Sequence, residues 1–384
     1  MKKIFYIYGI NTLAMFMRSL LNPEKAILGG YVLKTLPTEI NDTFRLYPLI
    51  SLQDLKSKHY DYMLICDRNY QASLTNKDIV LEQALSVCSM EMSSGLYLTR
   101  EKLFNEIKDT SCRGIITGMS YTQRGILSDQ LRHKILMASA PGQDLFYDFL
   151  TLTEVYQRMG EKLQFAISGL SPYSFRYDLS LSKENQNLSI AYFYYLKKWH
   201  HCSLSSEQIK QMLYYDEILK TYLFPNYLNI LCDLVIPFPH RQNFDVFDIA
   251  ACTPEKKREA IEGVKKLGNK PYPATLKENK AIFEEYCKFC KERNIVLVVL
   301  IPAFSSFFRS IFPREMIQEM LSIIYEAQEK FGFYLINLYD DADFNDHKHF
   351  ADIDHLNIYG AELMTHKLDK FLDNILGLTG GGVA

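Results

Sequence analysis

Residues 295–301 read Ile-Val-Leu-Val-Val-Leu-Ile, and Pro302 stops the run. Seven consecutive apolar residues, most of them β-branched, leave no polar face to turn toward water. Such a strand is buried on both sides, as in the centre of a parallel sheet. Further strand-like stretches occur at residues 2–8, Ala26–Leu33, Tyr62–Cys66, Arg113–Thr117, Lys134–Ala138, Phe165–Ile167 and Tyr334–Leu338. Helical spacing alternates with them at Leu13–Leu21, Leu52–Lys58, within Gly125–Met137, at Lys277–Arg293 and at Met316–Phe331. A last helix starts from Gly360, where Met364, Leu368, Phe371 and Ile375 recur on one face. Strands alternating with helices predict an α/β fold with parallel pairing.

A chain of 384 residues fits two domains. The expected division is a small Rossmann-like domain over 1–95 and a larger α/β/α domain over 96–378. A helical insertion at about 180–290 breaks the alternation and has the makings of a cap, and 379–384 is a glycine-rich flexible tail. Hydrophobic residues at 48% and charged residues at 23% exclude a disordered chain. Forty-three Lys and Arg against 45 Asp and Glu leave no basic excess, so nucleic acid is not expected as a partner. The 26 Tyr and 24 Phe read chiefly as core, although the same rings can line a sugar-binding cleft.

No apolar stretch reaches the ~18 residues a transmembrane helix needs, so no transmembrane segment is expected. Met1-Lys2-Lys3 followed by Ile4–Tyr8 resembles a signal peptide, but Gly9-Ile-Asn-Thr breaks the run and Arg18 precedes any small-residue cleavage site. A buried strand is the better reading. The eight cysteines are scattered, and several lie in apolar runs, as Cys66 and Cys232 do. Cys287-Lys-Phe-Cys290 falls on an amphipathic helix with no second pair or nearby histidine, so neither a metal nor a redox role is expected there. A reduced, cytoplasmic protein is the expectation. The first turn, Gly9-Ile-Asn-Thr-Leu-Ala14, lacks the spacing GxGxxG, so no dinucleotide and no other cofactor is expected.

Three short stretches carry chemistry. In Gly118-Met-Ser120, a serine follows a strand and opens a helix, at the sheet edge where open α/β folds bind ligands. Helix capping is the competing role for such a serine. In Ala140-Pro-Gly142-Gln-Asp144, a glycine after the next strand can aim its backbone N–H into a cleft as an oxyanion donor; a plain turn is the alternative. In Asp352-Ile-Asp-His355, the spacing lets a carboxylate hold one imidazole nitrogen while the other faces a nucleophile. His347 and His349 nearby make a metal cluster the rival reading, but no HExxH-type helix accompanies them.

Taken in order, these blocks resemble the SGNH (GDSL-like) hydrolases and acyltransferases over about residues 110–378. Ser120 matches that family's nucleophile, Gly142 its oxyanion glycine, and Asp352 with His355 its terminal DxxH block. The resemblance implies a three-layer SGNH-type domain. From Asn269-Lys-Pro-Tyr-Pro to Asn357 the chain is more loosely similar to a bacterial branch of cell-surface polysaccharide and teichoic-acid biosynthesis proteins. That branch includes the D-alanine-transfer group, and similar small Rossmann-like domains occur in the same setting. Met119 stands where the family usually has aspartate. The third block reads Gly169-Leu-Ser171-Pro172, so Ser171 replaces the usual asparagine amide of the oxyanion hole. The α/β-hydrolase elbow GxSxG is only half met, because Thr122 stands at its last glycine. The resemblance implies a serine-dependent O-acyl esterase or O-acyltransferase acting on an acylated carbohydrate or polysaccharide precursor. A non-catalytic scaffold of such a pathway is the alternative.

Overall fold

The structure is a computed structural model that describes residues 1–38, 42–66, 84–86, 103, 107, 111–182, 189, 192, 196–201, 210, 214, 217–218, 221–223, 246–248, 251–270 and 272–379. The chain is α/β with two all-parallel sheets. It divides into two compact units, Met1–Leu98 with Cys202–Pro237, and Thr99–His201 with Phe238–Ala384. Much of the helical insertion expected at about 180–290, and residues 380–384 of the tail, lie outside the described residues.

The first unit runs β1 (Lys3–Tyr8), α1 (Thr12–Leu20), β2 (Ala26–Leu33), β3 (Leu49–Ser51), α2 (Leu52–Leu55), β4 (Tyr62–Ile65) and β5 (Ala84–Ser86). Its strand order is β3-β2-β1-β4-β5, reversing direction between β1 and β4. Strand periodicity divides β1 between two cores. Phe5 and Ile7 pack with Ala14 and Met17 of α1, and Tyr6 and Tyr8 with Val32, Met63 and Leu55. Ile218 and Leu223, from the expected insertion, complete the Phe5 side, and Leu223 forms a bridge with Leu21. The helix expected over Leu52–Lys58 is the single turn α2, opened by a capping box between Ser51 and Asp54.

The second unit runs β6 (Gly114–Gly118), α3 (Ser120–Gly125), β7 (Ile135–Met137), α4 (Leu145–Met159), β8 (Phe165–Gly169), α5 (Pro254–Gly268), α6 (Pro273–Glu292), β9 (Val296–Ile301), α7 (Ser306–Ile311), α8 (Arg314–Phe331), β10 (Tyr334–Asn337), α9 (Asp346–His349) and α10 (Ile358–Thr379). Its strand order is β10-β9-β8-β6-β7. The apolar run that opened the sequence is β9, and its residues alternate between two cores. Leu297, Val299 and Ile301 meet α4, α6 and α8, whereas Val298 and Leu300 meet Met364, Leu368 and Leu372 of α10. At about 1.5–3 kcal/mol for each large apolar side chain buried, β9 contributes to both faces at once. The helix expected within Gly125–Met137 lies earlier, at Ser120–Gly125. Ile126 and Leu127 are drawn into the core instead, and a 3-10 turn at Ser128–Gln130 leads into β7. Cys287 and Cys290 of α6 are buried free thiols, and burial pushes both thiols up.

Candidate active site

The strand order of the second unit reverses between β6 and β8, where chains leaving neighbouring strands diverge and open a crevice. Ser120 stands at the end of β6 and Ser171 just past the end of β8, so both belong to that crevice. Ser120 is the first residue of α3. Its cap position is Met119, whose side chain makes no capping hydrogen bond. The Ser120 N–H makes no hydrogen bond among the described residues, as expected of an uncapped helix start.

Glycines let α3 come this close to the sheet. Gly118 has φ +134°, and a Cβ there would lie 2.6 Å from Gly169 O and 2.8 Å from Thr122 Oγ1. A Cβ on Gly169 would collide with the Thr122 side chain. Thr122, 1% exposed, therefore fills the space that two strand-end glycines leave. Asp148 of α4 fixes the strand end from below, accepting the Gly118 N–H at 2.9 Å.

The last block closes on Ser120. His355 Nε2 lies 2.9 Å from Ser120 Oγ, and His355 Nδ1 lies 3.0 and 3.1 Å from the two oxygens of Asp352. Asp352 Oδ1 also accepts the backbone N–H of Asp354 at 3.1 Å and of His355 at 2.7 Å, so the four-residue turn holds its own acid in place. The loop is anchored on three sides. Ser305 Oγ donates to Ile353 O at 2.5 Å, Ala351 N–H donates to His355 O at 2.9 Å, and the Asn357 side chain accepts the Gly360 N–H at the start of α10. Ser305 also lines a cavity of about 300 Å³, with Phe247, Phe307, Asp346 and Phe350.

A fourth group, not anticipated from sequence, is Asp354. Its Oδ1 lies 3.0 Å from His355 Nδ1, while its Oδ2 accepts the Tyr121 hydroxyl at 2.8 Å. The Tyr121 ring stacks on His355, with centroids 4.8 Å apart and planes 18° apart. Burial, with the Tyr173 and Asp354 charges, pushes the Tyr121 phenol well up, so it stays a donor. At His355 burial opposes the charged ring, but the Asp354 charge and the Asp352 hydrogen bond outweigh it and push the imidazole up to about 9. The reciprocal hydrogen bond from His355 overcomes burial at Asp352 and holds its carboxyl below the usual range. A histidine raised in this way stabilises the fold fully below pH 6.5, and that contribution disappears as the pH climbs through 9.

Gly142 has φ +64° and follows β7, the neighbour of β6. Ala140 N–H donates to Gly118 O at 3.0 Å, so the two chain ends run side by side up to this turn. The Gly142 N–H makes no hydrogen bond among the described residues. Ser171 is 1% exposed; its hydroxyl donates to Met119 Sδ at 3.4 Å and lies 3.1 Å from Ser174 Oγ. His349 does not join a histidine cluster: its Nδ1 accepts the Asn345 N–H at 2.9 Å, and burial pushes its pKa down.

The fold and this geometry define a parallel α/β protein with a Ser–His–Asp hydrogen-bond chain at the switch point of its second sheet. No family model matches the chain, and no curated protein matches it. No helix among the described residues is long and apolar enough to cross a membrane.

Proposed function

We propose that the second unit is a serine-dependent O-acyl esterase or O-acyltransferase whose substrate is an acylated carbohydrate or polysaccharide precursor. The observation that carries the chemistry is the chain Ser120 Oγ–His355 Nε2 at 2.9 Å and His355 Nδ1–Asp352 at 3.0 Å. Neutral His355 takes the Ser120 proton as Oγ attacks the acyl carbonyl, and Asp352 supports the imidazolium that forms. The collapsing tetrahedral intermediate expels the sugar alkoxide, which His355 protonates, leaving an acyl-serine. Water or an acceptor hydroxyl then attacks that ester with His355 again as base. The Ser120 and Gly142 amides are the proposed oxyanion donors. The Ser171 hydroxyl reaches the oxyanion only by leaving Met119 Sδ, so it is the third and weakest donor of the set. Loss of one oxyanion donor costs ~10²–10³ in rate, which favours transfer to a tightly held acceptor over rapid hydrolysis. The carbohydrate class rests on the family resemblance alone.

The test is labelling with a fluorophosphonate and mapping of the modified residue by mass spectrometry, alongside p-nitrophenyl acetate turnover. Label on Ser120, lost in Ser120→Ala and His355→Ala, supports the reading. Equal turnover in all three proteins removes it and leaves a non-catalytic binding role.

A further inference from the structure

The turn that carries Gly142 is held by a buried polar network that takes no part in the proton transfers. Gln143, the next residue, is 0% exposed, and Asp148, in the first turn of α4, is 2% exposed. An amide buried to this degree costs free energy unless its hydrogen bonds are made inside the protein. Gln143 Nε2 donates to Ala138 O at 3.1 Å and to Asp148 Oδ1, while Oε1 accepts the Tyr192 hydroxyl at 2.7 Å. Two acceptors on one side and a hydroxyl on the other leave the amide a single orientation.

Asp148 Oδ1 joins the two turns. The same oxygen accepts the Gly118 N–H at 2.9 Å, two residues before the nucleophile, and the Gln143 amide, one residue after Gly142. Backbone pairing supplies the Ala140 N–H to Gly118 O, which lies ahead of Gly142 in the chain. Past that point the Gln143 side chain carries the connection. Gly142 sits at φ +64° with no side chain of its own to hold it, so its amide is fixed by what grips its neighbours.

The outer contacts of this turn come from the stretch that the sequence reads as an insertion. Tyr192 is fully buried and stacks on Tyr147 of α4, with centroids 4.1 Å apart and planes 16° apart, and its hydroxyl meets Gln143. One residue further along the turn, Asp144 Oδ2 accepts the Leu179 N–H at 2.9 Å and the His200 Nδ1–H at 3.0 Å. Burial opposes a charge on His200, but Asp144 and Asp178 outweigh it and push the imidazole up to about 10, so a cation is locked between two carboxylates. His201 lies 2.7 Å from Asp178 on the same side, and both rings face Glu278 of α6.

We propose that Gln143 and Tyr192 are positioning residues of the acyl-transfer site: with Asp148 they hold the Gly142 amide at a fixed separation from the Ser120 amide, so that both donate to one oxyanion. This role rests on the serine-dependent reading above and gives the insertion a task, as a brace for the oxyanion hole. Preorganised donors gain their effect from not having to move when charge develops. With the brace removed, the turn has to be reorganised in the transition state, whereas binding of the neutral ester is untouched. The loss therefore falls on kcat and leaves KM in place.

The experiment compares Gln143→Leu, Tyr192→Phe and the double variant with the wild type and Ser120→Ala. It reads p-nitrophenyl acetate turnover, phenylboronic acid affinity and melting temperature on the full-length protein. Boron adds to Ser120 Oγ and sets a tetrahedral oxygen between the same two amides, so its affinity reports the hole without a leaving group. Gln143→Leu is expected to lower kcat ~10²-fold, the cost of about 1 Å of misplacement, with KM unchanged and phenylboronic acid weakened alongside. Tyr192→Phe keeps the ring stack and is expected to lower kcat roughly fivefold, the worth of one hydrogen bond. Because that hydroxyl acts through Gln143, adding Tyr192→Phe to Gln143→Leu is expected to cost nothing more. Where Gln143→Leu fails to fold by circular dichroism, Tyr192→Phe decides alone. A lower melting temperature with wild-type kcat and boronate affinity, or losses that multiply in the double variant, overturns the proposal while Ser120-dependent turnover stands. Turnover in Ser120→Ala equal to that of the wild type removes the serine-dependent reading, and the brace with it.

Discussion

The two parallel sheets make their first strand-to-helix turn in opposite ways. In the first unit Asn11 caps α1, accepting the Ala14 N–H at 2.9 Å and donating to Cys66 O, just past β4, at 2.6 Å. One side chain thereby closes the helix start and spans the gap between the strands where the order reverses. In the second unit the equivalent cap is Met119, which closes nothing, and the next residue is Ser120 with an imidazole 2.9 Å away. The same topology supplies a helix N-terminus at a switch point in both units. What differs is whether a polar side chain occupies that position or leaves it open for chemistry.

The sharpest break of this comparison is at the acid. Asp352→Asn is expected to reduce ester turnover by ~10⁴, as when the acid of a triad is replaced by its amide, without altering the circular dichroism spectrum; a loss below tenfold would move the supporting role to Asp354. Next in size is Gly169→Ala, which forces a methyl group against Thr122. Overpacking of that kind costs ~1–3 kcal/mol, read as a lower melting temperature, and turnover falls with it because α3 carries Ser120. Asp354→Asn is a subtler change. It removes the charge that does most to raise His355, so the alkaline rise of kcat/KM, expected near pH 9 in the wild type, moves down toward 6.5. A pH–rate profile that stays in place would show Asp354 to be remote from the titration. Asn11→Ala is the smallest change. Loss of the cap costs ~0.5–2 kcal/mol, measured by urea unfolding, and Ser120 labelling is unaffected.

Local patterns were legible in the chain and distant ones were not. The β9 run reads directly because both of its faces are buried, and the parallel α/β class follows from it. Asp352 and His355 read directly because a four-residue turn sets their geometry, and Ser120 reads as a serine between a strand and a helix. Asp354 escaped because two acids of one turn compete for the same nitrogen, and only the packing of Tyr121 shows that both reach it. The start of α3 was misplaced because Ile126 and Leu127 extend an apolar pattern that the helix itself abandons at Gly125. Thr122 looked like a departure from a glycine motif. In the fold it fits the room left by Gly118 and Gly169, a relation between chain segments some fifty residues apart. His200 and His201 gave no signal for the same reason: their partners lie at 144, 178 and 278.

The crossing of the chain between the two units has a consequence for synthesis. Residues 202–237 belong with the amino-terminal unit, so the chain leaves that unit, begins the second, returns, and only then completes the second. On a ribosome, where domains tend to fold as they emerge, the first sheet waits for Ile218 and Leu223 to cover Phe5. Strands β6 to β8 emerge in that interval with β9 and α10 still unmade. A fragment cut at residue 98 is therefore expected to be sticky, and the smallest piece that shelters the first sheet has to be built from two separate stretches of the gene.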